Sequence, residues 1–527
     1  MARLHEHQGK AILAAHGFQI PRGRAAATPH QAVEIASELI SKPGDEVVIK
    51  IQAWTTGRAG MGGVAFTNDA SAVLAHAQRM LSMKVGQFPV ESVLVEEKIQ
   101  IQREFFLSFA VDDSAREPVI IVAAGGGSGI EERAASARRI PCDVVGGPRV
   151  AALREAAEAC SESPAQATLL SESIQKLFAA ARAVEARSLE INPLALTQSG
   201  VMVAADCRIT IDDYAVVRHP DLGIEIAREF DHPPTQLERV AYAVEQQDHR
   251  GTFYFAQLAT AAASGTHGLI GFHGAGGGGS MMSMDAIVNA GFTIANFTDT
   301  SGNPSASKVY RASRIILSQP DVVGYFGSGS GVASQEQYWS AYGLAKAFWE
   351  LDLDIPAVIR LGGNTEDRAV DILHRMARVL GAPIEGYRKS DAPAKIAARL
   401  SELIQSSGGG RWTPRKPKVP SFVKDSSAIM LPVKGGRVWM DAHQWRQIHR
   451  AVEMHSGGLI VDRQGVPTAS VSMEEFAGKD SELLACDVEC RLAGVEGFFL
   501  ELDIPGLDEL LFPTRSSVSP VTVGGLR

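Results

Sequence analysis

Short apolar runs alternate with amphipathic segments along most of the chain, and this alternation predicts a mixed α/β protein. Runs at 47–51, 93–95 and 119–122 are rich in β-branched residues, which predicts strands. Segments 30–40 and 69–82 have the spacing of helices with one apolar face. The order excludes a helical bundle and favours an α/β or α+β fold.

The chain is predicted to open with a helix over residues 4–16. Leu4, Ile12 and Leu13 stand among polar positions, and Gly17 follows as a residue that can end a helix. The pattern then turns to the alternating runs described above.

A second, regular rhythm begins near residue 267. Each of its apolar runs leads into a loop and then a helical stretch, which predicts a doubly wound parallel sheet with sites at the carboxyl ends of its strands. The runs are 269–272, 293–297, 322–326 and 357–361.

The composition of the chain suggests where its domains end. A serine- and glycine-rich stretch followed by prolines predicts a linker at 406–420. We expect a first domain at 1–240, a second domain at 241–405 and a small extension at 421–527 of unknown role. Cys486 and Cys490 in that extension lack the second ligand pair of a zinc ribbon.

Charge and composition narrow the class of protein. The chain has 527 residues, 45% of them hydrophobic, and a formal net charge of −9, so a broad nucleic-acid surface is disfavoured. Five scattered cysteines argue against a disulfide framework. No signal-peptide pattern and no membrane-spanning apolar run is found, so we expect a cytoplasmic protein.

Lys50 and the glycine-rich segment after it form the first candidate site. Lys50 ends an apolar run, and a hairpin rich in glycine follows at 52–64. A lysine there can reach phosphate oxygens, while glycines let backbone N–H groups approach them. An ordinary strand-end lysine beside a hairpin turn is the alternative.

Carboxylates mark two further candidate positions. Glu96 and Glu104 bracket a connection between apolar strands, where an adenine and a ribose can be held. Glu190, Asn192 and Asp206 lie in two runs joined by a turn, and strand alternation lets them point together toward Mg²⁺. A hairpin with three solvated polar residues is the alternative here.

A third cluster lies in the second half of the chain. A glycine-rich loop follows residue 273, and Ser305 stands where a helix over 307–317 is predicted to begin. Small residues at a helix N-terminus can bind an anion through free N–H groups. The same residues can also simply cap a helix.

In order and combination, these motifs resemble the beta subunit of succinyl-CoA synthetase, an ATP-grasp protein. The likeness covers about the first 400 residues, through LHEHQGKAILAAHG, VIKIQAWTTGR, LVEE, LEINPL, the GAG loop and RLGGN. It implies an N-terminal ATP-grasp domain followed by a flavodoxin-like, doubly wound parallel-sheet domain and a small C-terminal extension.

The resemblance implies a three-step reaction. ATP or GTP phosphorylates a histidine on an alpha-type subunit, the phosphoryl group passes to a small carboxylic acid, and the thiol of CoA attacks the acyl phosphate. In the first domain it assigns the nucleotide to Lys50, Gly57, Arg58, Glu96 and Glu104, Mg²⁺ to Asn192 and Asp206, and the neighbourhood of the phosphohistidine to Glu190.

In the second domain, the resemblance implies that the helix starting near Ser305 is one of two whose N-termini bind the phosphoryl group. The positions that it assigns to the acid or the phosphoryl group are His273, Gly274, Ser305, Ser328, Gly329, Ser330 and Arg360.

The chain lacks the Gly-His-Ala-Gly phosphohistidine segment, so the resemblance implies a separate alpha-type, CoA-binding partner in a heterodimer or heterotetramer. His443, His449 and His455 are not in that setting and are interpreted as solvated or core histidines.

The chain also departs from the family pattern. Gly60 replaces a second basic residue, His273 replaces the usual Asn, and SGNPSAS is closer to the ATP-citrate lyase branch. The acid is therefore open among succinate, malate, citrate and other small carboxylates. An ATP-citrate lyase or citryl-CoA synthetase type of subunit, a CoA-independent ATP-grasp carboxylate ligase and a non-catalytic interaction protein remain as alternatives.

Overall fold

A computed structural model describes residues 2–127, 137–228, 230–247, 251, 253–329, 333–444, 460–461, 467–469 and 479–513. The chain divides into two compact units, one over residues 1–234 and one over 235–527. Among the described residues, no helix is both long and apolar enough to cross a membrane.

The first unit contains five α-helices and fourteen strands in its described residues. In chain order they are β1 (Ala2–Arg3), α1 (Glu6–Ala15), β2 (Gly23–Ala26), α2 (Pro29–Leu39), β3 (Val47–Ile51), β4 (Val64–Thr67), α3 (Ala70–Leu81), β5 (Lys84–Val85), β6 (Phe88–Pro89), β7 (Val93–Glu97), β8 (Ile101–Asp112), β9 (Glu117–Ala124), β10 (Arg138–Asp143), β11 (Gly147–Pro148), α4 (Val150–Cys160), α5 (Pro164–Ala183), β12 (Ala186–Thr197), β13 (Met202–Ala204) and β14 (Cys207–Ile211).

Two antiparallel sheets organise these elements. The smaller has the order β2-β7-β3-β4, and its apolar side chains pack with α2 and α3 around a buried core. The larger runs β1-β14-β12-β8-β9-β10-β11, with β13 paired to β12. The strands and helices predicted from 30–40, 47–51, 69–82 and 93–95 are confirmed within one or two residues.

The first helix begins two residues later than predicted. Leu4 lies outside it and donates its backbone N–H to Ile209 at 3.1 Å, which pairs the chain start with β14. The predicted stop at Gly17 is confirmed, since its φ of 81° is a conformation that glycine adopts easily. The helix therefore starts at Glu6 and places that residue against the larger sheet.

The second unit combines a parallel sheet with a C-terminal segment. Its described elements are α6 (Gln236–Gln247), β15 (Tyr254–Gln257), β16 (Leu269–Ala275), α7 (Gly277–Asn289), β17 (Thr293–Ile294), β18 (Asn296–Asp299), α8 (Ala306–Ile316), β19 (Val322–Gly329), β20 (Ala333–Glu336), α9 (Tyr338–Leu351), β21 (Ala357–Arg360), β22 (Gly363–Asn364), α10 (Glu366–Leu380), β23 (Ile384–Tyr387), α11 (Pro393–Ser406), β24 (Ile429–Val433), β25 (Gly436–Met440), β26 (Ile460–Val461), β27 (Pro467–Ala469), α12 (Asp480–Ala493), β28 (Phe498–Leu502) and α13 (Leu507–Leu511).

The main sheet of the second unit confirms the predicted doubly wound pattern. Its order is β15-β18-β16-β19-β21-β23, parallel throughout except for the antiparallel edge pair β15–β18, and β17 pairs with β16. Because parallel strands end at the same edge, the residues at the carboxyl ends of β16, β19 and β21 are brought together.

The C-terminal segment packs into the second unit instead of forming a separate core. β24, β25 and β28 form a small antiparallel sheet, while α12 packs on α8 and α9. Apolar residues of β25, α12 and β28 belong to the same buried cluster as those of α8 and α9. The predicted four-part division with boundaries at 240, 405 and 420 therefore differs from this two-unit arrangement.

The stretch predicted as a linker is pinned to the same unit. Trp412 is 1% exposed and donates its indole N–H to the carbonyl of Leu317 at 2.6 Å. The backbone N–H of Lys418 donates to the carbonyl of Glu350 at 2.7 Å. Prolines and glycines here shape a fixed connection across the surface of the second unit.

Candidate functional site

Glu6 is the centre of a buried group of charged side chains in the first unit. Its Oε1 lies 2.8 Å from the ammonium nitrogens of both Lys10 and Lys50, and its Oε2 lies 2.7 Å from Nη1 of Arg58. Its side chain is 2% exposed. We call this group the ion cluster; its members are Glu6, Lys10, Lys50, Arg58, Glu96 and Asp206.

Lys50, at the end of β3, has three oxygen atoms around its ammonium group. Oε1 of Glu6 lies at 2.8 Å, Oε2 of Glu96 at 2.9 Å and the carbonyl of Ala205 at 2.9 Å. Burial alone would lower the pKa of Lys50, but the carboxylates of Glu6, Glu96 and Asp206 outweigh burial and raise it. Lys50 is therefore held as a cation.

Arg58 joins Glu6 to Asp206. Its Nη1 donates to Glu6 Oε2 and to the carbonyl of Ile51, and its Nη2 donates to Asp206 Oδ2 at 2.7 Å. Burial and the neighbouring Glu6 carboxylate raise the pKa of Asp206, even though Arg58 and Lys50 act in the opposite direction. The ionised form of the Asp206 carboxylate is therefore stabilised only by nearby cations such as Arg58 and Lys50.

One oxygen of Asp206 has no partner. Oδ1 is buried and makes no hydrogen bond, while Oδ2 is taken by Arg58. The backbone N–H of Asn192 donates to the Asp206 carbonyl at 3.2 Å, which holds the two predicted metal ligands at the same level of neighbouring strands. A buried carboxylate oxygen without a partner is a vacant acceptor for a cation or a proton donor.

Asn192 and Glu104 meet at Gly127. The backbone N–H of Gly127 donates to Asn192 Oδ1 at 2.7 Å, and the amide of Asn192 donates to Glu190 Oε1 at 3.4 Å. A Cβ on Gly127 would lie 3.1 Å from Glu104 Oε2. Glu104, Glu190 and Asn192 are therefore neighbours, as their assignment to one site requires.

Glu96 is enclosed more completely than a ligand-binding carboxylate needs to be. The residue is 1% exposed, and its Oε1 accepts from Lys10 at 2.5 Å while Oε2 faces Lys50. Gly57, by contrast, has a φ of 65° and open space beside its Cα. Glu96 thus orients Lys50, and Gly57 leaves its backbone free to be approached.

In the second unit, the predicted residues lie at the ends of three parallel strands. Gly274 pairs with Ser328, and Ser328 pairs with Arg360. Arg360 donates to the carbonyl of Gly329 at 2.9 Å, and a Cβ on Gly274 would come within 2.3 Å of Ser280 Oγ. Ser330 lies outside the described residues.

His273 is buried beneath this edge. Its Nδ1 lies 2.7 Å from the Tyr325 hydroxyl and its Nε2 lies 3.1 Å from Thr300 Oγ1. Burial lowers the pKa of His273 to about 3, so the ring stays neutral. Both ring nitrogens are used inside the protein, which makes His273 a support for the following loop.

Ser305 caps α8 as its position predicts, with Oγ accepting from the Lys308 N–H at 3.1 Å. The first turn of α8 is covered by the C-terminal segment. The Ala306 N–H donates to Ser481 Oγ at 3.1 Å, and the Ser307 hydroxyl donates to the Asp480 carboxylate. A carboxylate of the chain itself therefore lies at this helix N-terminus.

Comparison with known proteins identifies the relatives of this chain. A model of the ATP-grasp domain matches residues 3–196. The β subunit of a GDP-forming succinate–CoA ligase from Thermus thermophilus is 32% identical over 404 residues, covering 75% of this chain and 98% of that protein. β subunit 1 of an ADP-forming succinate–CoA ligase from Archaeoglobus fulgidus is 32% identical over 405 residues, covering 76% and 100%. This chain belongs to the succinate–CoA ligase β-subunit family.

Membership of this family makes the chain a β-type subunit of an ATP-dependent acid:CoA ligase. Its fold is also that of an ATP citrate lyase from Methanothrix soehngenii, with a TM-score of 0.61 and 18% identity over 76% of this chain and 99% of that one. About a quarter of this chain lies outside each of these alignments.

Two members of the ion cluster are absent from the sequence-based site. Glu6 and Lys10 stand four residues apart on α1, and both are buried. Two opposite charges on the buried side of an otherwise amphipathic helix are one signal for them, and their place in LHEHQGKAILAAHG, the first motif of the resemblance, is another. Gly127 was missed as well, although it ends a run of three glycines after β9.

Proposed function

We propose that this β-type subunit uses Mg²⁺ with ATP or GTP to phosphorylate a histidine on a separate alpha-type, CoA-binding subunit. The phosphoryl group then passes to a small carboxylic acid, and the CoA thiol attacks the acyl phosphate. The products are an acyl-CoA, a nucleoside diphosphate and phosphate. The proposal extends the family assignment to named residues and to a partner in a heterodimer or heterotetramer.

The observation that carries the proposal is the unpartnered Oδ1 of Asp206 beside Lys50 and Arg58. A nucleotide triphosphate needs cations for its oxygens, and its Mg²⁺ takes one or two protein oxygens and keeps several waters. Among the described residues, no group of three or more His, Cys, Asp or Glu side chains has metal-binding geometry. Asp206 and Asn192, together with the nucleotide phosphates, fit Mg²⁺ without such a group.

Each residue of the first unit then has a role in this proposal. Lys50 and Arg58 neutralise phosphate oxygens, and Mg²⁺ stabilises the charge that develops during phosphoryl transfer. Glu104 holds the nucleoside, with the Gly57 backbone beside the phosphates. Glu190 lies near the phosphohistidine when that segment visits this site. Glu96 acts by orienting Lys50.

The ends of β16, β19 and β21 are proposed as the site of the acid and the second phosphoryl position. Gly274, Ser328, Gly329 and Arg360 converge there through strand pairing. His273 supports this edge, and Ser305 caps the helix beside it. Ser330 belongs to the same proposal. The acid itself is a small di- or tricarboxylate.

Compartment and partners follow from the same proposal. All five cysteines are buried thiols, which fits a reducing compartment such as the cytoplasm. We propose no nucleic-acid or membrane partner. The phosphohistidine and the CoA site are supplied by the alpha-type subunit.

The decisive assay mixes the purified chain with its candidate alpha-type subunit, Mg-ATP and CoA, and measures ADP release across a panel of di- and tricarboxylic acids. We expect CoA-dependent release with one acid, lost in Asp206→Ala and unchanged in Asp113→Ala, an exposed aspartate of the same unit. Release that does not need CoA would point to a carboxylate ligase of another kind. No release with any acid, despite a stable complex, would contradict the proposal.

A further inference from the structure

The cations assigned to the nucleotide are already occupied. Lys50 has three ammonium protons, and three oxygens lie within 2.9 Å of its nitrogen. Arg58 spends Nη1 on Glu6 and the Ile51 carbonyl and one N–H of Nη2 on Asp206. Phosphate oxygens can therefore reach Lys50 only by displacing one of its three oxygens, and at Arg58 they compete with Glu6 and Asp206 for the charge of one guanidinium.

The charges of the ion cluster balance without any ligand. Lys10, Lys50 and Arg58 are the cations, and Glu6, Glu96 and Asp206 are the anions. A nucleotide adds several negative charges to this balanced set, so its binding is opposed unless an internal anion yields its contacts. Mg²⁺ relieves part of that opposition by taking the charge of Asp206.

Arg58 contacts both carboxylates that a Mg-nucleotide would compete with, Asp206 and Glu6. A cation held by Asp206 Oδ1 would compete with Arg58 for that carboxylate, and a phosphate oxygen at Nη1 would compete with Glu6. Arg58 lies in the segment between β3 and β4, where Trp54 and Met61 are 42% and 43% exposed. This segment offers room for the guanidinium to change partners, whereas α1 holds Glu6 in place.

We propose that Glu6 is a positioning residue that serves as an internal substitute for the nucleotide phosphates: it holds Lys50 and Arg58 before Mg-nucleotide binds and gives up contacts with them when the phosphates arrive. The inference rests on the proposed function and names a residue outside the set that touches the nucleotide. Its consequence is that Glu6 competes with the phosphates and thereby sets how readily ADP leaves.

A merely structural ion pair would have a different pattern. Lys10 alone provides Glu6 with a partner one helical turn away, and that pair would suffice to hold α1. Glu6 instead divides its two oxygens among three cations, two of which are the proposed phosphate ligands. The position of Glu6 is thus tied to the nucleotide cations.

The test compares Mg-ADP binding to the full chain and to Glu6→Gln by titration calorimetry. Removing a competing negative charge is expected to tighten Mg-ADP binding about tenfold. In the assembled enzyme the KM for ATP should fall while kcat also falls, because ADP leaves more slowly. Glu97→Gln, which breaks the solvent-exposed pair with Arg22, is the matched control and should change neither value.

Unchanged or weaker binding by folded Glu6→Gln would overturn the inference. If that variant does not fold, Glu6→Asp replaces it: the charge is kept, but the shorter side chain cannot reach Lys50 and Arg58 together, so binding should tighten a few-fold. Equal affinity of Glu6→Asp and the unchanged chain would then overturn it. Absence of Mg-ADP binding by the unchanged chain would instead contradict the proposed function.

Discussion

Two buried ion networks, one in each unit, use similar residues for different purposes. In the ion cluster, the side chains of Lys50, Arg58 and Asp206 keep 13%, 11% and 30% of their surface exposed, and one oxygen of Asp206 has no partner. In the second unit, Lys346 and Glu350 are exposed by 1% and 2%. The larger exposure of its side chains distinguishes the network that can exchange partners from the one that cannot.

The second network consists of Tyr310, Lys346, Glu350 and Asp487, and it holds the C-terminal segment against the rest of the second unit. Lys346 of α9 lies 2.5 Å from Asp487 of α12 and 2.7 Å from Glu350, which in turn accepts from the Tyr310 hydroxyl of α8. The side chains of this network face other side chains of the same unit. The ammonium nitrogen of Lys346 also lies 4.4 Å from the centroid of the Phe499 ring. This network binds three helices together and presents no donor to a ligand.

The largest expected effect comes from removing Lys346, which pairs with both Glu350 and Asp487. Lys346→Met should lower the free energy of unfolding by about 3 kcal/mol, because the buried Glu350 and Asp487 would lose their nearest cation and keep only Arg314 and Arg491, each at 3.4 Å. Urea unfolding of the full chain measures it. Lys395→Met, which breaks an exposed pair with Asp391, should cost less than about 1 kcal/mol.

A double variant sharpens the comparison. Lys346→Met with Asp487→Leu removes both charges, so it should recover a large part of the lost stability. If Lys346→Met alone unfolds at the urea concentration of the unchanged chain, the second network does not fasten the segment as described.

A smaller effect is expected from the buried histidine. The pKa of His273 is about 3 in the folded protein and 6.5 in a solvated chain. Between these values only the unfolded state binds the proton, so stability falls as the pH falls below 6.5. From about pH 7 to about pH 5 this group should cost about 2 kcal/mol of unfolding free energy.

Urea unfolding of the unchanged chain and of His273→Asn at both pH values checks this. The variant should lose less stability on acidification than the unchanged chain. Parallel losses in the two proteins would mean that His273 is able to accept a proton in the folded state, against the burial and hydrogen bonds described above.

How much of this could be read from the sequence depends on the range of the interactions. The parallel strands were predicted because each run of apolar residues is local, and β16, β19 and β21 follow it closely. Local motifs indicate Lys50 and Asp206, the family resemblance adds Arg58, and the three residues lie together. Local pattern thus predicts the elements, while the ion cluster also needs the resemblance.

Contacts between distant segments were not predictable in this way. Glu6 meets Arg58 across 52 positions, and Asp480 meets Ser307 across 173. No local pattern specifies such pairs. The proline-rich stretch likewise suggested a tether, because nothing nearby shows that Trp412 is buried against Leu317.

The smallest expected effect concerns the hydrogen bond between the C-terminal segment and the first turn of α8. Ser481→Ala removes the acceptor of the Ala306 N–H and should cost about 1 kcal/mol of unfolding free energy. Ser401→Ala on the surface of α11 is the control and should stay within about 0.5 kcal/mol. A cost for Ser481→Ala as small as for the control would mean that the C-terminal segment does not hold this helix end.

The most direct test of the account is to titrate ATP into the full chain and into Asp206→Ala, each with Mg²⁺ and with EDTA. The unchanged chain is expected to bind ATP more tightly with Mg²⁺, by at least about tenfold, and Asp206→Ala is expected to lose this advantage while still binding metal-free ATP. An Asp206→Ala variant that keeps the full advantage of Mg²⁺ would contradict the placement of the metal beside Arg58.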